Sequence, residues 1–168
     1  MFLDLDRFYF PNKSFRLFSF LVRFQNEDLL RKIIEHKIDI NYLNPETGTS
    51  PLMLASALGY LNMCNLLIDS GAEINVHDHS GNTPLHLAVQ GYGEAIPVVE
   101  MLIQRGADVN AVNEEGFTPA ISAKKLDKDA CFRLINSREI TEGMQPPTYE
   151  QADRPIIESK DQTIFSFT

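Results

Sequence analysis

Three of the chain's four histidines lie close together in the stretch HDHSGNTPLH, residues 77–86. Histidine and aspartate are common zinc ligands, and histidine is also the most frequent general base in enzymes. If the chain is extended here, His77 and His79 face one way with Asp78 between them, which is one arrangement that holds a metal pair. The spacing fixes no third ligand, however. We therefore keep two interpretations: a metal or ligand site at these three residues, or histidines carried by a scaffold for other reasons.

Catalytic motifs are missing from the rest of the sequence. It contains no G-x-S-x-G, no glycine-rich phosphate loop, and no CxxC or zinc-finger spacing around its two cysteines, Cys64 and Cys131. Both cysteines are interpreted as small core residues in a reducing environment. We predict a protein that is not an enzyme and that holds no metal and no cofactor.

The composition is that of a globular protein, with 43% hydrophobic and 23% charged residues and a net charge of −8. No block of the chain is strongly basic, so nucleic acid and anionic membranes are poor partners. The apolar N-terminus is interrupted by charges such as Asp4, Asp6 and Arg7, unlike a signal peptide. We expect a soluble protein inside the cell, most simply in the cytoplasm.

An internal repeat organises the middle of the chain. Gly48-Thr49-Ser50-Pro51-Leu52-Met53-Leu54-Ala55 recurs as Gly81-Asn82-Thr83-Pro84-Leu85-His86-Leu87-Ala88 and again, weakened, from Gly116 to Ala123. The segments GAEIN (71–75) and GADVN (106–110) repeat in step with it, as does KIDIN (37–41). The recurring segments begin at Gly48, Gly81 and Gly116, which are 33 and 35 residues apart. A repeat of this length predicts stacked copies of one structural unit.

Each unit is predicted to be a turn followed by two short helices. Ser50, Thr83 and Thr118 are expected N-caps, because each precedes a proline at the first helical position. Leu52, Leu54 and Ala55 then form an apolar face, and a second helix of about residues 61–70 ends at the left-handed Gly71.

The units resemble ankyrin repeats, on the residues GNTPLHLAV with VVEMLIQRGADVN and GTSPLMLAS with MCNLLIDSGAEIN. The resemblance implies an all-α fold: an ankyrin-repeat solenoid of stacked helix-turn-helix units with projecting β-turn fingers. We predict an aromatic arm (1–13), a repeat domain (14–136) and a proline-containing, partly disordered tail (137–168). The four units of the repeat domain are placed at about 14–47, 48–80, 81–115 and 116–136.

The first and last units depart from the pattern. The first has Leu21 where alanine is expected and Lys37 in place of the capping glycine, and its first helix needs Phe18 and Phe20 as apolar residues. The last unit has small residues at the leucine positions. Atypical end units are expected of a repeat array. Two extra residues near GYGEAIP, in the third unit, are interpreted as a loop without a role.

The family resemblance also implies where function lies. His86 would hydrogen-bond a neighbouring turn, and Asn75 and Asn110 would brace their turns; similar asparagines are hydroxylated in animal cells. The fingers and first helices would form a concave surface that binds a protein partner of somewhat basic character. The predicted contact residues are Tyr42, Leu43, Glu46, His77, Asp78, His79, Gln90, Tyr92, Asn113, Glu114 and Glu115.

The two ends extend beyond the repeat. The aromatic arm is interpreted as a cap on the first unit, with a docking patch as the alternative. In the tail, Pro146, Pro147 and Tyr149 form a PPxY motif, which resembles the ligands of WW domains. A WW-domain partner would make the chain an adaptor. An effector that a pathogen secretes into a host cell is a further alternative.

Overall fold

The computed structural model describes residues 19–36, 39–92 and 95–141 of the 168 in the chain. The predictions for the aromatic arm, for Lys37 and for the PPxY tail concern residues outside these ranges. Residues 19–23 are helical. The helices that follow are α1 (Glu27–Glu35), α2 (Pro51–Ala57), α3 (Leu61–Asp69), α4 (Pro84–Gln90), α5 (Ala95–Gln104), α6 (Pro119–Lys125) and α7 (Asp129–Thr141). The described residues contain no strand.

The three predicted N-caps are confirmed. The hydroxyls of Ser50, Thr83 and Thr118 accept a hydrogen bond from the backbone N–H three residues later, at 3.1, 3.4 and 3.3 Å. In each case proline follows the cap. The N–H of the first helical residue has no acceptor within the helix. Proline has no N–H, so it occupies this position without the loss of a hydrogen bond.

The helices stack in two layers. The first helices of the units, α2, α4 and α6, pack on one another in chain order, and so do the second helices α3, α5 and α7. Leu52 and Leu85 in the first layer, and Leu67 and Leu102 in the second, are at most 1% exposed. Helices of seven to ten residues are not stable alone in water, so this burial between neighbouring units holds the fold together.

One expected core residue is exposed. Phe20 was predicted to lie inward at the position equivalent to Leu54, but 54% of its surface is accessible, whereas Leu21 and Val22 are fully buried. Leu21 and Val22 occupy the inward side of the first helix instead. In α2, Leu54 is partly buried and packs against the core, so the predicted inward position was wrong at Phe20 and partly right at Leu54.

Asparagines connect successive units. The side chain of Asn75 donates to the carbonyl oxygen of Gly106 at 3.1 Å and accepts from the N–H of Asp108 at 2.9 Å. Asn41 makes the same pair of bonds one unit earlier, to Gly71 and Glu73. Asn75 makes side-chain hydrogen bonds as predicted, but the bonds reach the next unit, so the prediction that Asn75 braces its own turn was wrong.

Gly91, at the end of α4, lies directly against the preceding unit. A Cβ atom at this residue would overlap the carbonyl group of Ala57, whose oxygen accepts from the N–H of Tyr92 at 3.2 Å. The φ of Gly91 is −67°, an angle open to any residue, so glycine is required here for space alone.

From the following unit, Lys128 donates to the carbonyls of Val89 and Gly91 at 2.6 and 2.7 Å. A cation at the carboxyl end of a helix also interacts favourably with the helix dipole.

We predict that Gly91→Ala destabilises the repeat domain by about 1–3 kcal/mol, because the added methyl group forces α4 away from Ala57. The free energy of unfolding in urea measures this loss. Gly71→Ala is the comparison: its Cβ would meet nothing within 4 Å, but its φ of +96° costs about 1 kcal/mol for a non-glycine residue. Unchanged stability in Gly91→Ala would show that the two units are not in close contact.

Candidate functional site

Three projecting turns follow one design. We call residues 41–48, 75–81 and 110–116 the first, second and third fingers. Asn44, Asp78 and Asn113 occupy the same position in them, and the side-chain Oδ1 of each accepts from the backbone N–H two residues later, at 2.8, 2.9 and 3.1 Å. A short polar side chain that bonds its own backbone fixes the shape of a turn. Each finger is thereby held in one conformation.

The fingers are also joined to one another. The N–H of His79 donates to the carbonyl of Thr47 at 2.9 Å, and the N–H of Glu114 donates to that of Ser80 at 3.0 Å. The Nδ1 atom of His79 lies 3.2 Å from the carbonyl oxygen of Glu46. The three fingers therefore form one continuous ridge, which we call the finger ridge.

The residue immediately before the turn-forming aspartate or asparagine is exposed in every finger. These tip residues are Leu43, His77 and Val112, and the exposed fractions of the two apolar ones are 38% and 54%. Val112 was not among the contact residues predicted from the sequence. Its position in the repeat gives the missing signal: it stands two residues after Asn110, as His77 stands two residues after Asn75.

The alternative prediction, a metal site at His77, Asp78 and His79, requires the carboxylate of Asp78, which already accepts hydrogen bonds within its finger. Asp78 accepts from the N–H groups of Ser80 and Asn82 and from the side-chain amide of Asn82, the last at 3.3 Å. Among the described residues no group of three histidine, cysteine, aspartate or glutamate side chains is arranged to hold a metal ion. His77 and His79 are exposed on the ridge surface.

Two more predicted contact residues, besides Asp78, belong to the framework of the ridge. Asn113 was expected at the surface but is only 6% exposed, because its amide donates to Oδ1 of Asn82 at 2.9 Å and its own oxygen accepts from the N–H of Phe117. Gln90 is exposed and also donates to Asn82, at 3.3 Å. The buried Asn113 side chain supports the second and third fingers instead of facing a partner.

The other predicted contact residues differ in exposure. Tyr42 is half-buried, whereas Glu46, Glu114 and Glu115 are exposed on the fingers. Tyr92 is fully exposed and follows the carboxyl end of α4, while the finger precedes the amino end of that helix. A seven-residue helix is about 10 Å long, so Tyr92 and the finger ridge stand at opposite ends of the first-helix layer. The tail residues Pro146, Pro147 and Tyr149 lie outside the described residues.

His86, the third histidine of the opening stretch, is fully buried. Its Nε2 donates to the carbonyl of Phe117 at 2.9 Å, and its Nδ1 accepts from the N–H of Thr83 at 3.2 Å. The expected bond to a neighbouring turn is confirmed. Burial lowers the pKa of His86, so the neutral ring that these two bonds require is favoured.

The cysteines carry no reactive thiolate. Burial raises the pKa of Cys64 to about 12, and burial also raises the pKa of Cys131. Because the thiolate is the nucleophilic form, both thiols are unreactive near neutral pH. Both are free and buried, as expected for small core residues.

We predict that the repeat domain loses stability as the pH falls below about 6.5, the ordinary pKa of histidine. The unfolded chain binds a proton at His86 there, whereas the folded chain resists it, so the free energy of unfolding decreases by up to about 1.4 kcal/mol per pH unit until the folded pKa is reached. Urea unfolding between pH 7.5 and 5.5 measures the slope. In His86→Gln we expect lower stability at pH 7.5 but a flatter slope; an unchanged slope would rule out His86 as its source.

We predict that Asp78→Ala costs about 1–3 kcal/mol, because the N–H groups of Ser80 and Asn82 lose their acceptor. Asp78→Asn should cost much less, since Asn44 and Asn113 perform the same role with amide oxygens in the other fingers. Thermal or urea unfolding of the two variants separates these expectations. Equal losses in both would mean that the charge, and not the acceptor geometry, holds the finger.

Comparison with known proteins gives the family. Residues 18–113 and 73–146 match the family model described as ankyrin repeats, three copies. A putative ankyrin repeat protein of Fowlpox virus (strain NVSL) is 36% identical over 94 residues, which are 55% of this chain and 27% of that protein. The Neurogenic locus Notch protein of Drosophila melanogaster is 33% identical over 106 residues, 60% of this chain and 4% of that protein. The B-cell lymphoma 3 protein homolog of Mus musculus is 32% identical over 120 residues, 71% of this chain and 26% of that protein.

The chain thus spans between 4% and 27% of the length of these three relatives. No helix among the described residues combines the length and apolar character needed to cross a membrane. The family match extends over most of the chain and agrees with the repeated caps, the two helical layers and the finger ridge. The predicted fold class is confirmed with it, and the chain belongs to the ankyrin-repeat family.

Proposed function

We propose that the chain is a non-catalytic interaction module that binds a protein partner through the finger ridge and the adjoining first-helix layer. The observation that carries this proposal is the combination of a rigid framework with exposed apolar side chains. Leu43 and Val112 extend from fingers that are bonded to one another, and Tyr92 is fully exposed beside α4. Large apolar groups held at fixed surface positions are typical of protein-binding sites.

The two thiols and the buried histidine in the described part of the chain serve its framework, which suits a binding role. Its two thiols are buried, and its buried histidine is committed to two hydrogen bonds of the framework. Free thiols also support a reducing, intracellular location, which we include in the proposal.

A second proposed role concerns the tail. The sequence Pro146-Pro147-Thr148-Tyr149 fits a WW domain, because two prolines favour an extended left-handed helix and tyrosine fills a groove between aromatic residues. Together with a partner on the repeat domain, a WW-domain protein on the tail would make the chain an adaptor. This role rests on the sequence motif alone.

Affinity capture from a cell lysate tests both roles, with the intact chain as bait and partners quantified by mass spectrometry. We expect the double variant Leu43→Ser/Tyr92→Ser to capture at least about tenfold less of the main partners than the intact chain does, because these residues contribute apolar contact area. Ile96→Ser is the matched control, since Ile96 is 47% exposed but lies on the second-helix layer.

The variant Tyr149→Ala tests the tail separately. Tyr149→Ala should retain partners of the repeat domain and lose only WW-domain proteins. If the double variant captures the same proteins as the intact chain while Tyr149→Ala captures none, binding belongs to the tail and the surface proposal is wrong.

A further inference from the structure

The finger ridge combines apolar tips with negative charge. Its fingers and the residues leading into them, 39–48, 73–81 and 108–117, contain no lysine or arginine. Their acidic residues are Asp39, Glu46, Glu73, Asp78, Asp108, Glu114 and Glu115. The side chains of Glu46, Glu114 and Glu115 are exposed next to the tips in sequence. The ridge therefore carries two apolar tips, Leu43 and Val112, with His77 between them and acidic side chains beside them, while Lys125 of α6 lies over Phe117 at its far end.

We propose that the finger ridge binds a linear segment of its partner, in which two apolar side chains six residues apart are separated by residues that include lysine or arginine. This inference rests on the proposed function and makes it more specific. It assigns the contact to three equivalent tips, Leu43, His77 and Val112, and it assigns the partner a chemistry that complements the charge of the ridge.

The spacing of the tips favours a linear partner. Packed helices lie about 8–10 Å apart, and the tips repeat once per stacked unit. An extended left-handed polyproline-type segment advances about 9.3 Å in three residues and returns each third side chain to the same face. Side chains i, i+3 and i+6 of such a segment would therefore meet the first, second and third tips in turn.

The backbone of the ridge restricts how the segment can bind. The N–H groups of His79 and Glu114 already donate to the neighbouring finger, so no partner strand can enter between the fingers. Contact must come from side chains. Leu43 and Val112 suit apolar side chains at i and i+6, His77 accepts a polar or aromatic one at i+3, and the exposed glutamates attract cationic side chains between them.

The experiment uses a phage-displayed library of random 12-residue peptides, selected on the intact chain. Counter-selection uses the triple variant Leu43→Ser/His77→Ser/Val112→Ser. We expect enriched peptides with apolar residues six apart and lysine or arginine between them. The synthetic consensus peptide should bind the triple variant at least tenfold more weakly than the intact chain, as measured by isothermal titration calorimetry.

Two further variants make the result specific. Phe24→Ser/Leu29→Ser/Ile96→Ser removes the same number of exposed side chains away from the fingers and from the first-helix layer around α4, and it should bind the consensus peptide as the intact chain does. Glu46→Gln/Glu114→Gln/Glu115→Gln keeps the tips but should weaken binding and reduce its salt dependence. The melting temperatures of both triple serine variants are measured as well, and peptide binding is compared at a temperature where both are folded, because Leu43 is only 38% exposed.

The proposal is overturned if the library yields no binder, if the enriched peptides are acidic, or if binding survives the loss of the tips. A dimer that the tip variant dissociates would instead assign the ridge to a second copy of this chain. Capture of protein partners that requires Tyr92 but not the tips would leave the proposed function standing and refute only the linear segment.

Discussion

The fold depends on hydrogen bonds that one unit supplies to the backbone of the next. His86 donates to Phe117, Asn75 donates to Gly106, and Lys128 donates back to Val89 and Gly91. Each of these carbonyls is a polar group that would need water or another partner if the neighbouring unit were removed. Helices of seven to ten residues cannot compensate for that loss by their own propensity. Stability therefore belongs to pairs of adjacent units rather than to any single unit.

The last unit differs in sequence where its first helix packs on the preceding unit. This helix, α6, has Ala120 at the position of Leu52 and Leu85, and Ser122 at the position of Leu54 and Leu87. The hydroxyl of Ser122 is buried without a hydrogen-bond partner among the described residues, a cost that the central units do not have. Because alanine and serine bury less apolar surface than leucine, the packing of α6 on α4 gains less from the hydrophobic effect than the packing of α4 on α2.

The sequence predicted most of the framework because the framework repeats. The caps, the prolines, and Leu52 and Leu85 recur in register, and each was found where the pattern placed it. Apart from Phe20 and Leu54 in the first helices, the failures concern side chains whose environment depends on a neighbouring finger. Asn113 is polar and lies in a turn, which suggests exposure, but its side chain is buried and donates a hydrogen bond to Asn82. Val112 is apolar, which suggests burial, but the turn that Asn113 fixes leaves 54% of its surface exposed. The unit boundaries and the partner-binding roles stay predictions.

The residue that forms the turn stabilises each finger, whereas the tip residue before it has no such role. Asn44, Asp78 and Asn113 fix the fingers with the same side-chain oxygen, so this position admits few residue types. The tip beside it is leucine, histidine or valine in the three fingers and makes none of the framework hydrogen bonds described above. The tips can therefore change chemistry without loss of the fold. In the proposed binding mode the tips recur once per stacked unit, so a partner gains several weak contacts at once instead of one deep one. A partner whose side chains repeat at a similar interval is then favoured, and the stacking of the units would select it.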